Sequence, residues 1–148
     1  MADEELARRG DAIAVFPSLV TSPAAARSFV RSALADVAAE VVVVVEMCTS
    51  ELVTNAVIHG GGVGDHRTIE VTVGFRPGVV RVQVRDAGAG MPVVRPPSPG
   101  SSGGRGLLLV EGFCSQWGCN PEPGGKGVWF EVRDQASRAS ALSEPSEV

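Results

Sequence analysis

The chain has 148 residues, of which 44% are hydrophobic and 20% charged, and its formal net charge is −4. This length and composition predict one domain with a hydrophobic core. The acidic balance argues against non-specific nucleic-acid binding and against attachment to an anionic membrane. The acidic start Met1–Glu5 has no basic region followed by an apolar stretch, as a signal peptide would. Three cysteines, none in a Cys-x-x-Cys pair, indicate reduced thiols in a cytoplasmic protein rather than a zinc site.

The N-terminal part of the chain predicts a strand and a helix. Residues 1–11 are charged and are expected to be flexible. The apolar stretch Ile13–Phe16 predicts a strand that Pro17 ends. Ser22-Pro23 then supplies an N-cap and a proline at the first helical position. Because apolar residues at helical spacing follow, an amphipathic helix is predicted over residues 23–38.

A second helix is predicted over residues 41–59, although it begins with the five valines Val41–Val45. Valine runs favour strands by propensity, but the length of this segment and its later periodicity favour a helix. The run is far shorter than the roughly 20 apolar residues of a membrane span, so no such span is expected. Gly60-Gly61-Gly62 is expected to end the helix.

Two antiparallel strands are predicted next. In residues 68–75 and 79–86 apolar side chains alternate with polar or small ones, which is typical of strands with one buried face. Arg76-Pro77-Gly78 between them is a turn. The two segments are therefore expected to form a hairpin.

The C-terminal part predicts a loop, a helix and two further strands before a tail. The tail, residues 135–148, is rich in Ser, Ala and Glu and is expected to be disordered, so the folded domain is predicted over 12–134. Helices and antiparallel strands in runs, rather than strict β-α-β alternation, predict an α+β two-layer sandwich. The elements are a Pro/Ser/Gly-rich loop over 92–104, a helix over 105–115, a strand from Trp117, a turn over 121–127 and a last strand over 128–133.

One polar stripe marks the second helix. Glu51, Asn55 and His59 are four residues apart, and each such step advances only about 40° past a full helical turn, so they share one face. A carboxylate and a carboxamide on one stripe suit a magnesium site with an adjacent base. The exposed edge of a half-buried helix would have the same pattern. His59 is interpreted as a residue that complements the C-terminal helix dipole.

Two glycine motifs follow this helix along the chain. Asp86-Ala87-Gly88-Ala89-Gly90 stands where a strand ends, and its glycines allow the backbone to approach a flat ligand. The Asp86 carboxylate there can accept a hydrogen bond from an exocyclic amine such as that of adenine. Gly103-Gly104-Arg105-Gly106-Leu107 opens a helix, whose N–H groups can bind phosphate. An ordinary turn and an ordinary Gly/Ser linker are the alternatives. Neither motif is a Walker A loop or a dinucleotide fingerprint.

In this order the three motifs resemble the N, G1 and G2 boxes of the GHKL ATPase superfamily, which includes gyrase, histidine kinase catalytic domains and mismatch-repair ATPases. The loop over 92–104 stands where that superfamily has its ATP lid. The resemblance covers residues 13–133. It implies the Bergerat fold, in which helices cover one face of a mixed, mostly antiparallel sheet.

A narrower resemblance is to the anti-sigma-factor serine kinases. It is carried by Ser50–Gly60, Gly104–Leu107 and Gly125-Lys126 before Val128-Trp129. It implies ATP and Mg²⁺ as ligands, with Glu51 as general base and Asn55 on the metal. The adenine amino group would bind Asp86, with Gly88 and Gly90 shaping the pocket. The triphosphate would be held by Gly104, Arg105, Gly106 and Leu107.

Residue 127 departs from this family. A threonine is common just before the final Val-Trp pair, hydrogen-bonding near the adenine-binding aspartate, but this chain has Gly127. A missing hydroxyl there would weaken nucleotide binding by about 0.5–1.5 kcal/mol, roughly threefold to tenfold.

The resemblance implies a cytoplasmic anti-sigma factor that is also an ATP-dependent protein serine/threonine kinase. Its implied partners are a sigma factor and an anti-anti-sigma protein, with a homodimer possible and with no direct nucleic-acid or membrane partner. Two alternatives stay open. One is a nucleotide-dependent binding switch with little or no phosphotransfer, which Gly127 motivates. The other is a detached histidine kinase catalytic domain.

Overall fold

A computed structural model describes residues 11–59, 64–86, 112–122 and 124–134. Its five strands form one sheet in the order β1-β2-β3-β5-β4, and each neighbouring pair is antiparallel. The elements are β1 (Ala12–Ser18), α1 (Ser22–Ala33), α2 (Ala39–His59), β2 (Gly64–Arg76), β3 (Val79–Asp86), β4 (Gln116–Glu122) and β5 (Gly125–Arg133). The predicted α+β architecture is confirmed.

The alternation of side chains along the central strands separates two faces of the sheet. Val80, Val82 and Val84 of β3 are at most 2% exposed and lie on the face that the helices cover. The register pairs Val82 with Phe130 of β5, so this buried row continues across the sheet. Each fully buried apolar side chain of this size contributes about 1.5–3 kcal/mol by leaving water. The hairpin between β2 and β3 turns as predicted, with a positive φ of 74° at Gly78.

The valine-rich segment forms the central helix of the core. Residues on several sides of α2 are buried, because α2 packs against α1 as well as against β3 and β5 of the sheet. By length and composition alone α2 could also span a membrane, since its most apolar window has a mean hydropathy of 1.7. In this fold 44% of that window is buried inside the domain, while Val43 is exposed. The buried residues of α2 are Val41, Val45, Cys48, Thr49, Leu52, Val53, Ala56 and Val57.

Two boundaries of the first helix differ from the prediction. Thr21, not Ser22, occupies the N-cap, and the Ser22 hydroxyl instead donates a hydrogen bond to the Pro17 carbonyl over 2.5 Å. The helix ends at Ala33 rather than at residue 38. The backbone leaves the helix at Leu34, which is 1% exposed and anchors a tight turn leading into α2. The apolar spacing that favoured a longer helix therefore belongs to a turn in which the Leu34 side chain is buried.

The strands are longer than predicted at two prolines. Pro17 lies within β1 and Pro121 within β4, although the sequence favoured a strand end and a turn there. Both strands lie at the edges of the sheet. Proline is tolerated there because its missing N–H does not have to donate a hydrogen bond to a neighbouring strand. The predicted 121–127 turn is correspondingly shorter, since β5 already begins at Gly125.

Several predicted segments fall wholly or partly outside the described residues. These are the flexible N-terminus, the glycine end of the second helix, the loop over 92–104 and the tail over 135–148. Of the predicted helix over 105–115, Gly112 and Phe113 are helical and the next two residues lead into β4.

Candidate functional site

The polar stripe of α2 forms as predicted. Glu51 and Asn55 are both half-buried, one helical turn apart, and His59 is the exposed last residue of the helix. On the turn between them Leu52 and Val53 are at most 3% exposed. These buried neighbours fix the rotation of α2, so the side chains of Glu51 and Asn55 are held on one face by the packing of the core.

A buried thiol adjoins this stripe. Cys48 lies one turn before Glu51 and is fully buried. Burial, together with smaller effects of negative charge at Cys114 and Glu51, raises the pKa of the Cys48 thiol to about 12. Cys48 is therefore a neutral core side chain at physiological pH and not a nucleophile. Cys114, in the segment entering β4, packs against the same hydrophobic core as Cys48.

Asp86 lies at the end of β3 and faces a lysine. Its side chain is 4% exposed, and its Oδ1 is 3.4 Å from the Nζ of Lys126, whose side chain is 9% exposed. The register pairs the two residues directly across β3 and β5. Because Asp86 continues the row of Val80, Val82 and Val84, both charged side chains lie on the face that the helices cover. The predicted adenine acceptor is thus at the layer where α2 meets the sheet.

The structure places Gly127 away from the position that the resemblance implies for a threonine near Asp86, and the effect of Gly127 on nucleotide affinity stays a prediction. Gly127 pairs with Arg85, one residue away from the Asp86–Lys126 pair, and side chains alternate between the two faces of a strand. A Cβ at residue 127 would lie 3.0 Å from the Nε2 of Gln83 and 3.1 Å from the Oε1 of Glu122. A hydroxyl at residue 127 would therefore be on the open face of the sheet, away from Asp86.

Lys126 is the residue that sequence reasoning missed. Two signals were available: it is the only lysine among the thirteen basic residues, and it lies two residues before the apolar Val128. Counting back from Val128 and Phe130 by the strand period of two puts residue 126, not 127, on the buried face.

The open face of the sheet carries several charged side chains, together with Trp129 and the exposed Ile13 and Val15. Arg81 lies 3.1 Å from Glu131 and 4.1 Å from the ring centre of Trp129. Arg85 lies 2.6 Å from Glu122 and 3.4 Å from Glu70.

A cavity of about 220 Å³ opens at this end of the sheet. Its lining residues are Thr68, Glu70, Arg85, Asp86, Glu122, Gly124 and Gly125.

The other predicted site residues lie outside the described ranges. Their roles in the adenine pocket and in triphosphate binding stay predictions. These residues are Gly88, Gly90, Gly104, Arg105, Gly106 and Leu107. Of the predicted site, the structure describes Glu51, Asn55 and Asp86, and it places the first two on one helix face and the third on the sheet face that the helices cover.

Comparison with known proteins identifies the domain type. A family model described as a histidine kinase-like ATPase domain matches residues 16–132. A comparison with curated proteins gave no match. Among solved structures, the RsbU and RsbW domains of Rv1364c from Mycobacterium tuberculosis superpose with a TM-score of 0.65 at 21% identity, over 83% of this chain. This chain covers 31% of that protein, so the likeness concerns one part of it and shows the fold.

A second solved structure is similar over a smaller part of the chain. It is the histidine kinase domain of the blue-light activated histidine kinase EL346 from Erythrobacter litoralis, with a TM-score of 0.49 and 21% identity. The match covers 68% of this chain and 48% of that one.

Proposed function

This chain belongs to the histidine kinase-like ATPase domain family, of the GHKL type, and from that premise we propose that it is an ATP-binding anti-sigma factor with protein serine kinase activity. Its acceptor is an anti-anti-sigma protein and its target is a sigma factor, in the cytoplasm. The observation that supports the proposal most is the placement of Glu51 one turn before Asn55 on the half-buried face of α2. That pair supplies a base and a metal ligand to one ligand site.

The side chains of the site fit a magnesium–nucleotide ligand. Domains of this type bind ATP, typically with Mg²⁺. Mg²⁺ is usually held by one or two protein oxygens together with phosphate oxygens and water, not by an all-protein cage. Asn55 offers such an oxygen on α2. Within the described ranges no group of three or more His, Cys, Asp or Glu side chains could hold a metal ion, so the fit is to a phosphate-supported ion.

Each described residue has a distinct part in the proposed reaction. Glu51 orients the acceptor serine and takes the proton of its hydroxyl at a carboxylate oxygen. Asn55 would hold the Mg²⁺, which would supply positive charge to the phosphates. Asp86 accepts a hydrogen bond from the exocyclic amine of adenine. The same proposal gives triphosphate binding to 104–107 and the adenine pocket to Gly88 and Gly90, which lie outside the described residues.

The kinase proposal is tested by phosphate transfer from labelled ATP to anti-anti-sigma proteins encoded in the same genome. We expect Glu51→Gln to lower the rate about 10²-fold or more, the usual effect of removing a general base. Its ATP affinity should stay within about threefold of wild type, because Glu51 is not proposed to bind the nucleotide. Glu46→Gln is the matched control, since Glu46 is on the same helix but pairs with Arg31 at 2.7 Å. Equal transfer by Glu51→Gln and wild type would contradict the proposal.

The same experiment separates the alternatives. Acid-stable phosphoserine supports the serine kinase, whereas an acid-labile product on histidine would support the detached histidine kinase domain. Calorimetric ATP binding with no transfer to any acceptor would support the binding switch. The switch has lost the observation that motivated it, because Gly127 lies on the face of the sheet opposite Asp86. Sedimentation with and without Mg-ATP tests the proposed homodimer.

A further inference from the structure

The only lysine of the chain is buried beside the carboxylate proposed to bind the base. Lys126 is one of thirteen basic residues, and the other twelve are arginines. Its side chain is 9% exposed and lies on the helix-covered face of the sheet. Lysine is almost never buried unless it is paired, because its ammonium group loses its hydration. Its position opposite Asp86 therefore calls for a role that a buried apolar residue could not fill.

The geometry of the pair sets a hydrogen-bond donor beside an acceptor. The Nζ of Lys126 and the Oδ1 of Asp86 are 3.4 Å apart. A close charge-assisted hydrogen bond is shorter, about 2.7–2.9 Å. Lysine is a donor only and an ionised carboxylate an acceptor only, so the pair presents a donor and an acceptor side by side. Two parallel hydrogen bonds of about 2.9 Å from neighbouring atoms of one ring edge can end on such a pair.

We propose that Lys126 is a specificity-determining residue that reads the adenine ring together with Asp86. Its ammonium donates a hydrogen bond to N1 of the base, while the Asp86 carboxylate accepts one from the adjacent N6 amine. This inference rests on the proposed ATP-binding function and adds a second base contact to it. The pair continues the buried row that ends with Val84 and Val128, so the base edge meets charged groups at the end of an apolar surface.

The alternative, purely structural role for Lys126 is to neutralise the buried carboxylate of Asp86 without contacting the base. Both roles make Lys126→Met bind ATP more weakly, so affinity for ATP alone does not separate them. The analogue 1-deaza-ATP does, because it keeps the N6 amine and replaces the N1 acceptor with C–H. Only a direct contact to N1 makes the discrimination between these two nucleotides depend on Lys126.

The experiment measures the dissociation constants of ATP, 1-deaza-ATP and GTP for the full chain by calorimetry. Wild type should prefer ATP over 1-deaza-ATP by roughly tenfold to a hundredfold, the range for one hydrogen bond to a charged group. In Lys126→Met the preference should fall to about one, with ATP affinity reduced by the same factor. Arg85→Met is the control, since Arg85 is on the adjacent position of β3 but faces Glu70 and Glu122 on the open face. It should keep the wild-type preference.

Four results would overturn the inference. An unchanged preference in Lys126→Met would show that Lys126 only neutralises Asp86. Equal wild-type affinities for ATP and 1-deaza-ATP would show that N1 is not read. GTP binding as tight as ATP would overturn the assignment to adenine. Failure of wild type to bind ATP at all would overturn the proposed function and this inference together, whereas the other results leave ATP binding in place.

A measurement on wild type avoids dependence on the folding of Lys126→Met. Because the chain has one lysine, labelling lysine with ¹³C at the ε carbon gives one side-chain NMR signal. At saturation, ATP and 1-deaza-ATP should place this signal at different chemical shifts. Identical shifts in the two complexes would contradict a contact between Lys126 and N1.

Discussion

Residue 127 lies on the open face of the sheet, and the variant Gly127→Thr tests whether a side chain there affects ATP binding. This change introduces the threonine that the anti-sigma-factor serine kinases, which the sequence resembles, commonly have. In the structure a Cβ at residue 127 would lie 3.0 Å from the Nε2 of Gln83 and 3.1 Å from the Oε1 of Glu122. Both are ends of side chains, which can move by a few tenths of an ångström. The added hydroxyl would meet these groups and not Asp86, which is on the opposite face.

The location of the added hydroxyl decides how Gly127→Thr should affect ATP affinity. If the hydroxyl reached the adenine site, ATP affinity would rise by about 0.5–1.5 kcal/mol, roughly threefold to tenfold. From the observed register we expect ATP affinity to stay within about twofold of wild type. The free energy of unfolding should change by no more than about 1 kcal/mol. A β-branched residue in place of glycine stabilises a strand by up to about that amount, and crowding against Gln83 and Glu122 offsets part of it.

Calorimetry with Mg-ATP and urea denaturation measure the two quantities. Asn120→Thr is a matched control, because Asn120 pairs with Gly127 across β4 and β5 and is exposed on the same face. A threefold or larger gain in ATP affinity for Gly127→Thr, without a gain for Asn120→Thr, would refute the placement of residue 127 away from the site.

Two further predictions concern packing and titration. In Gly118→Ala the new Cβ would lie 2.8 to 2.9 Å from ring atoms of Trp129, so we expect urea denaturation to show a loss of about 1–3 kcal/mol. Gly112→Ala, where no heavy atom lies within 4 Å, should change stability by less than about 0.5 kcal/mol, and equal effects would contradict this account. Cys48, whose pKa burial raises from 9.0 to about 12, should resist alkylation at pH 8 until urea unfolds the chain, and labelling of native Cys48 as fast as the half-buried Cys114 would contradict it. Since the folded pKa of Cys48 is the higher one, its contribution to stability should fall by up to about 1.4 kcal/mol per pH unit as pH rises above 9, and Cys48→Ala should lack this slope in urea titrations at several pH values.

The sequence predicted well those parts of the fold whose secondary structure follows from the spacing of apolar and polar residues along the chain. The hairpin of β2 and β3 follows from alternating apolar residues and a Pro-Gly turn, and Glu51 and Asn55 share a face because four residues approximate a helical turn. Both patterns are local, so the chain itself contains the information. The valine run was placed in a helix correctly, since periodicity and length outweighed the propensity of valine.

The sequence predictions that the structure corrects concern residues whose conformation or orientation depends on their position in the tertiary fold. Pro17 and Pro121 are tolerated in strands because β1 and β4 are edges, and the order of strands in a sheet is not written in a local pattern. Leu34 extends the helical spacing of α1 but anchors a turn, since core burial serves either conformation. The face of Gly127 was misjudged because family motifs align residues along the chain, whereas the pairing of β3 with β5 decides which neighbour faces Asp86.

The two ends of the candidate site are held by one core. Glu51 and Asn55 project from a helix whose adjacent residues are buried, and Asp86 and Lys126 project from central strands that the same helix covers. Neither pair can shift without disturbing close-packed side chains, which transmit displacement rather than absorb it. The base end and the metal end of a bound nucleotide would therefore meet groups at a fixed separation. Such a scaffold is pre-organised for its ligand, so binding would cost little ordering of these four side chains.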